Sequence, residues 1–261
     1  MTQPKLITML TDFGWQDVYV GVMKGVIASI DPDISVIDLT HEIPPQDLMA
    51  GRFALMNAYA YFPTETVHIA VVDPGVGSHR RGVAIQFAGG FLVGADNGLF
   101  GGILSQVKAI AVVELNNSQY WRTPKPSTTF HGRDIFAPVG AHLASGVALK
   151  ELGTEISIDS LRQLPLSQVT VSDNKIIGCI QYIDVFGNLI TNISGQDLQL
   201  KQKVIIKEQL IPWGKTYSNV QEQELIALVG SHDYVEIAVN CGNAQQKLQV
   251  NVGEKIIITP S

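Results

Sequence analysis

The sequence predicts an α/β protein in two parts. An N-terminal α/β domain with a mostly parallel central sheet spans residues 1–165, and an antiparallel β-rich domain spans residues 166–261. Two observations carry this. The first part alternates near-continuous apolar strands with segments of helical period, the pattern of a sheet covered on both faces. Beyond about residue 160 the helical period fades, and short β-rich runs separated by Gly, Asn, Asp and Gln turns fit an antiparallel sheet or small barrel. A length of 261 residues permits one large domain or two modest ones.

The elements follow in order. LITML is a strand, TDFGWQD a polar turn, and VYVGVMKGVIASI has apolar residues at helical spacing. ISVIDLT is the second strand, LMAGRFALMNAYAYF a largely buried helix, and VHIAVVD a third strand that stops abruptly at DPGVG. VAIQF and FLVGA form a strand pair bridged by Gly89 and Gly90. NGLFGGILSQV predicts a short helix with Asp96 or Asn97 as its cap. AIAVVEL is a strand, and DIFAPVGAHLASGVAL closes the domain as a helix with Asp134 near its N-terminus, where a carboxylate is favoured. A linker is expected around ISIDSLRQLPLSQ. After it IIGCIQYI, NLITNI, KVIIK, ELIALV, YVEIAV, KLQV and KIIIT all read as strands.

Composition excludes several classes. A net charge of -6 without a basic stripe leaves no footprint for nucleic-acid phosphates. No stretch approaches the roughly 20 apolar residues of a membrane helix, and the N-terminus lacks the flanks of a signal peptide, so a soluble cytoplasmic protein without a membrane partner is expected. Cys179 and Cys241 sit in strand-like runs and read as two small buried residues, not as a metal quartet or disulfide framework. No HxH or HExxH spacing occurs, which disfavours a zinc hydrolase, and no metal ligand is assigned. Charged residues are only 16% of the chain, below the ~25% of typical soluble domains, which suggests that a partner subunit covers apolar surface.

Polar residues gather just after the apolar strands, where parallel sheets bind ligands. Asp12 and Asp17 follow the first strand, and Asp73 with Gly75 and Gly77 follows the third. Asp12 suits the vicinal hydroxyls of a ribose, and reads equally as a turn or cap residue. Arg80 and Arg81 lie beyond the DPGVG turn. Folded back onto Asp73, an arginine would keep that carboxylate ionised and able to orient or deprotonate a water; exposed, it would be a weak ion pair. His131 and Gly132 stand at a loop-to-helix junction, where the imidazole serves as a proton shuttle, a water ligand or a structural hydrogen-bonder. In the second part DVFGNLITNI puts Asp184, Phe186 and Asn188 in one turn. A ring beside an amide suits adenine, and Gly-Asn also suits a plain hairpin. Ser231, His232, Asn240, Gly242 and Asn243 surround a later strand, with turn chemistry as the alternative.

The ordered set TDFGWQDVYVGVMKGVI, DLTHEIPPQD, VVDPGVGSHRR, ADNGLF, FHGRDIFAPVGAHLA, DVFGNLITNI and EIAVNCGNA resembles the S-adenosyl-L-methionine hydroxide adenosyltransferases over essentially the whole chain. These are adenosine-forming S-adenosyl-L-methionine (SAM) hydrolases related to the bacterial fluorinase and chlorinase. The resemblance implies a C-terminal β-barrel and a homotrimer, with SAM bound between one subunit's N-terminal domain and a neighbour's C-terminal domain. It implies attack of water on C5′, giving adenosine and L-methionine, with no cofactor. By motif, Asp12 resembles the ribose-binding carboxylate, and Asp73, Arg80 and His131 the water-activating set, Arg80 being preferred to Arg81 by its spacing to Asp73. Asp184 and Ser231 resemble residues that hold the methionine amine and carboxylate, and Asn188 the amide that reads adenine, with backbone near Cys241 assisting. Fluoride-using relatives carry serine at Gly132 and tyrosine at Asp73, so both residues here favour water over halide. Fluorinase-like members have arginine where this chain has His232. A halide-dependent 5′-halogenase and a SAM- or adenosine-binding sensor with negligible turnover are the alternatives.

Overall fold

The computed structural model describes residues 5–172, 175–198 and 202–260. The N-terminal residues 1–4, part of the reading against a signal peptide, lie outside them. The chain divides into two compact units, Met1–Leu164 and Pro165–Ser261.

The first unit is built on strands β1 (Leu6–Thr11), β2 (Ser35–Thr40), β3 (Thr66–Val71), β4 (Gly82–Phe87), β5 (Gly90–Ala95), β6 (Ala109–Glu114) and β7 (Thr154–Glu155), in the order β2-β1-β3-β5-β4-β6-β7. The β1/β2, β1/β3 and β3/β5 pairs are parallel, and β4 and β7 run against their neighbours. β1 and β3 are buried at every position, as central strands covered on both faces must be. Helices α1 (Tyr19–Ile30) and α4 (Ala137–Ala144) supply Met23, Ile27 and Val139 to a core that also holds Ile7, Met9, Val67 and Ile69. Gly140 lets α4 approach β3 closely, since a Cβ there would stand 2.5 Å from Ile69 Cδ1. Helices α2 (Leu48–Ala58) and α3 (Gly101–Leu104) pack on each other, and Asp47 caps α2 through the Ala50 amide.

Three helical expectations are corrected. The second helix stops at Ala58 and tightens into a 3₁₀ turn, leaving Tyr61 exposed. Neither Asp96 nor Asn97 caps the short third helix. Asp96 is held by Arg81 and by the Arg162 amide, while Asn97 Oδ1 takes the Leu99 amide within the preceding turn. The last helix of the unit begins with a π-helical turn, Gly132–Phe136, and ends at Ala144.

The second unit contains β8 (Thr170–Ser172), β9 (Lys175–Ile183), β10 (Leu189–Ser194), β11 (Gln202–Ile206), β12 (Gln209–Ile211), β13 (Leu225–Val229), β14 (Tyr234–Val239), helix α5 (Ala244–Leu248) and β15 (Lys255–Pro260). The order β12-β11-β15-β9-β10-β14-β13, with β8 beside β9, is antiparallel throughout. Just past β12, Gly214 N donates to Ala227 O at 2.9 Å and Ala227 N to Pro212 O at 2.8 Å. These bonds bring the two sheet ends together and nearly close a barrel around Ile180, Ile237, Val204 and Ile256. KLQV is not a strand: Asn243 Oδ1 accepts the Gln246 amide and starts α5, and Gln249 ends it in the left-handed region. The cysteines are corrected too. Cys179 is half-buried, and Cys241 is exposed beyond β14 with φ +54°.

Candidate active site

The carboxyl edge of the first sheet gathers acids one or two residues past adjacent strands: Asp12 after β1, Asp73 after β3, Asp96 after β5. Asp73 and Arg80 form a nearly buried pair. Arg80 Nε donates to Asp73 Oδ1 at 3.0 Å, and Nη2 donates to Asp73 Oδ2. The same Nη2 lies 2.7 Å from His131 Nδ1. A guanidinium only donates, so Nδ1 accepts and the neutral imidazole carries its proton on Nε2. Burial, then the Arg80 charge, lowers the His131 pKa, against a smaller pull from Asp73 and Asp134. The His131 ring is thus kept neutral, with Nε2–H as its remaining donor. The Arg80 guanidinium also stacks 5.4 Å from the Phe136 ring centre. Arg81 turns away onto Asp96 and Ser160.

Local chemistry explains the convergence. Gly77, at φ +77°, presses the DPGVG turn onto the loop before His131; a Cβ there would meet Thr128 O at 2.3 Å. Gly75 has ordinary backbone. Phe13, next to Asp12, and Phe130, next to His131, join Tyr19 in an aromatic trio with ring centres 5.2–5.8 Å apart. Asp134, fully buried in the π-turn, anchors the His131 segment by accepting from Arg122, Arg133 and the Ser127 amide. Burial opposes its ionisation, but those donors hold its carboxyl well below the usual range. Asp12 Oδ2 accepts the Gln46 amide at 2.8 Å, and Asp17 is exposed. A Cβ at Gly132 would stand 3.0 Å from Met23 Sδ and 3.3 Å from Phe130, so a serine there would crowd both.

In the second unit Asp184 shapes its own turn. Its Oδ1 accepts the Phe186 and Asn188 amides at 2.9 and 2.8 Å, and its Oδ2 accepts Asn188 Nδ2 at 3.0 Å. Asn188 is thereby buried with its amide orientation fixed, while Phe186 stays 70% exposed. Residues 184–188 meet the segment after β14, because Gln245 N donates to Gly187 O and a Cβ at Gly187 would overlap Asn243. Asp184, Phe186, Asn188 and Cys241 therefore share one end of the barrel. Ser231 does not join them. It is exposed in the β13/β14 hairpin, beside Gly230, where a Cβ would stand 2.5 Å from Glu236 Oε2. His232 Nε2 faces Glu236 Oε2 at 3.2 Å, and its Nδ1 accepts the Tyr234 amide at 3.3 Å, so both ring nitrogens have partners within the unit. Asn240 and Asn243 act in turns and caps, on Val220 O and the Gln246 amide.

Sequence reasoning missed two networks. Thr11, His41, Asp38 and Lys24 form a chain under the Asp12 loop. Tyr217 Oη donates to buried Glu236 at 2.8 Å, and burial, then this bond, pushes the phenol pKa up to about 12. The HEIPPQ run directly after a strand was the available signal for the first. Nothing in the sequence pairs Tyr217 with Glu236. Among the described residues no group of three or more His, Cys, Asp or Glu is placed to hold a metal, and no helix is long and apolar enough to cross a membrane.

Comparison with known proteins places this chain in a family. The model of the SAM hydroxide adenosyltransferase N-terminal domain matches residues 7–153, and that of the C-terminal domain matches residues 178–257. The chain is 38% identical to an (R)-S-adenosyl-L-methionine hydrolase of Salinispora tropica, over 97% of each chain. It is 27% identical to a fluorinase of an Actinoplanes species, again over 97% of each. A crystal structure of a conserved protein from Thermotoga maritima superposes with a TM-score of 0.90 at 35% identity, covering 97% of this chain and 99% of that one. The chain belongs to the SAM hydroxide adenosyltransferase family.

Proposed function

We propose that this protein hydrolyses SAM to adenosine and L-methionine by attack of water on C5′. The observation that carries the reading is the single guanidinium of Arg80, which ties the Asp73 carboxylate to His131 at the carboxyl edge of the sheet, beside Asp12. Membership of a family with curated (R)-SAM hydrolases supports it.

The chemistry suits these groups. The sulfonium makes methionine a neutral thioether leaving group, so no acid is required. A new C5′–O bond forms as the C5′–S bond breaks, and the sulfur keeps the electron pair. Water surrenders one proton. The remaining demands are a positioned water and a rigid ribose. A water set between the two side chains accepts from His131 Nε2–H and donates to Asp73, which leaves a lone pair for C5′. Asp73 takes or directs the proton as the bond forms. Arg80 holds the Asp73 carboxylate in place through two hydrogen bonds and fixes the tautomer of His131. Asp12 grips the ribose hydroxyls. The reaction needs no cofactor and no metal.

On the recognition side, Asn188 and backbone near Cys241 read adenine against Phe186, while Asp184 and Ser231 hold the methionine amine and carboxylate. The active form is a homotrimer, each site lying between one subunit's N-terminal domain and a neighbour's C-terminal domain. The apolar composition and exposed Trp15, Val18 and Tyr19 are consistent with a covering partner. The cytoplasm is the proposed compartment, in keeping with two free cysteines.

The test is chromatography of purified protein incubated with SAM, with and without halide. Adenosine and methionine in equal amounts, lost in Asp73→Asn, are expected. Intact SAM in the presence of a protein that binds it would transfer the reading to a sensor, and a halide requirement would transfer it to a halogenase.

A further inference from the structure

Beneath the Asp12 loop lies a chain of side chains that the hydrolytic mechanism does not use. His41 is fully buried immediately after β2. Its Nε2 faces Asp38 Oδ1 at 3.0 Å, and Asp38 Oδ2 holds Lys24 Nζ at 2.6 Å. Lys24 and His41 together keep Asp38 below the usual carboxylate range against its partial burial. The ionised carboxylate only accepts, so Nε2 carries the ring proton, and in a singly protonated ring Nδ1 is left as the acceptor. Thr11 Oγ1 lies 2.8 Å from that Nδ1 and donates to it, while its lone pair accepts the Phe13 amide at 3.2 Å.

The loop is gripped at three further points. Gly14 N donates to His41 O at 2.7 Å. The Trp15 ring stands edge-on to the His41 ring at 4.7 Å, and Lys24 Nζ lies 5.8 Å from the Trp15 ring centre. A few residues on, Gln46 adopts φ +66°, a left-handed conformation unfavourable for a side-chain-bearing residue. That strained turn aims its amide at Asp12 Oδ2. Residues 41–46 thus bracket Asp12 from both sides: His41 fixes the backbone around it, and Gln46 occupies one carboxylate oxygen. Among the described residues no donor reaches the other oxygen, Oδ1.

We infer that His41, acting through Thr11 and the 12–15 loop, is the positioning residue that presents Asp12 Oδ1 to a vicinal diol, and that Gln46 sets the carboxylate's rotation. The ligand class is a ribonucleoside with free 2′ and 3′ hydroxyls. This rests on the ribose role given to Asp12 above. His41 touches no substrate; it acts by keeping an exposed loop in one conformation before binding, which lowers the ordering cost of capture.

The test uses full-length protein with Thr11→Val, Thr11→Ser, His41→Phe and Gln46→Gly. Adenosine and 2′-deoxyadenosine affinities are read by calorimetry, and SAM turnover is read separately. Thr11→Val deletes the hydroxyl at nearly constant shape, and the lost bond should weaken adenosine binding and raise KM about tenfold, with kcat changed less than about threefold. Thr11→Ser should restore the wild-type values. 2′-Deoxyadenosine, which lacks half of the diol, should lose the dependence on residue 11. His41→Phe should behave like Thr11→Val, and its effect should not add to that of Asp12→Asn in a double-mutant cycle. Additive effects, or equal losses for adenosine and its 2′-deoxy analogue, would overturn the inference. If His41→Phe fails to fold, the Thr11 pair and Gln46→Gly decide alone. Wild-type protein that binds adenosine but leaves SAM intact would sink the hydrolase reading without touching this one.

Discussion

The two units prepare for a ligand in different ways. In the N-terminal unit the candidate side chains are locked by charge. Asp73 and Arg80 are nearly buried against each other, Asp134 is fully buried among donors, and each proton position follows from which partner can only give or only accept. In the C-terminal unit the candidate residues sit in hairpin turns. Asp184 holds its own loop with neutral amides, and the ring beside it, Phe186, faces solvent. The contrast divides labour. A step that makes and breaks covalent bonds needs groups held to within a fraction of an ångström, and buried ion pairs hold them so. Reading an adenine or an amino acid tolerates a surface that settles as the ligand arrives.

The largest expected effect breaks the charged half. Asp73→Asn keeps the shape and one acceptor oxygen but removes the charge proposed to direct the water's proton. Turnover should fall about 10²- to 10⁴-fold, the usual worth of a positioned acid–base group, while SAM affinity stays within about threefold. Arg80→Met should cost as much turnover and, by stranding a buried carboxylate, about 3–5 kcal/mol of stability. A melting curve and a single-turnover assay together read both. Loss of binding parallel to loss of turnover in Asp73→Asn would assign that residue to ground-state recognition instead.

The next effect separates the units by pH. His68 is buried in β3 with Thr8 Oγ1 at 2.7 Å from its Nδ1, and burial pushes its pKa down to about 4. Among the described residues the C-terminal unit buries no histidine. A folded-state pKa below the unfolded value of about 6.5 means that the unfolded chain binds the proton first. The stabilisation is therefore complete above pH 6.5 and is lost as pH falls toward 4, at about 1.4 kcal/mol per unit and about 3 kcal/mol in all. Acid should open the N-terminal unit before the barrel, and hydrogen exchange at pH 7 and pH 5 measures this directly. His68→Gln should flatten the N-terminal slope; an unchanged slope would shift the cause to other groups.

A good part of this architecture was legible because it rests on period and punctuation. β1 and β3 are near-continuous apolar runs, which points to central strands, and the loss of helical period past residue 160 marks where the barrel strands take over. Asp73 and Arg80 were readable as partners because a tight turn separates them. The failures were at helix ends and in sparse networks. KLQV carries alternating residues that suit a strand, but Asn243 caps a helix there and tertiary context decides. The π-turn at Gly132–Phe136 has no sequence period of its own. His41 looked like one of several scattered histidines, because its partners Thr11 and Lys24 belong to other elements and meet it only once β1, β2 and α1 are assembled. The pairing of Tyr217 with Glu236 was hidden for the same reason.

The smallest effects sharpen the neutral half. Asn188→Ala removes both the amide proposed to read a base edge and the bond that steadies Asp184, so KM for SAM should rise about tenfold with kcat nearly constant. Phe186→Ala removes only a face for stacking, worth about 0.5–1.5 kcal/mol, and should raise KM about threefold. The order of these two matters more than their size. Phe186 is exposed, so its truncation costs the free protein almost nothing and reports ligand contact alone, whereas Asn188→Ala also loosens the turn. Melting temperature distinguishes the two contributions: it should hold in Phe186→Ala and drop in Asn188→Ala. A Phe186→Ala enzyme with reduced kcat and unchanged KM would put the ring in the transition state. Catalysis would then no longer be confined to the charged unit, and the division of labour would fail at its most exposed residue.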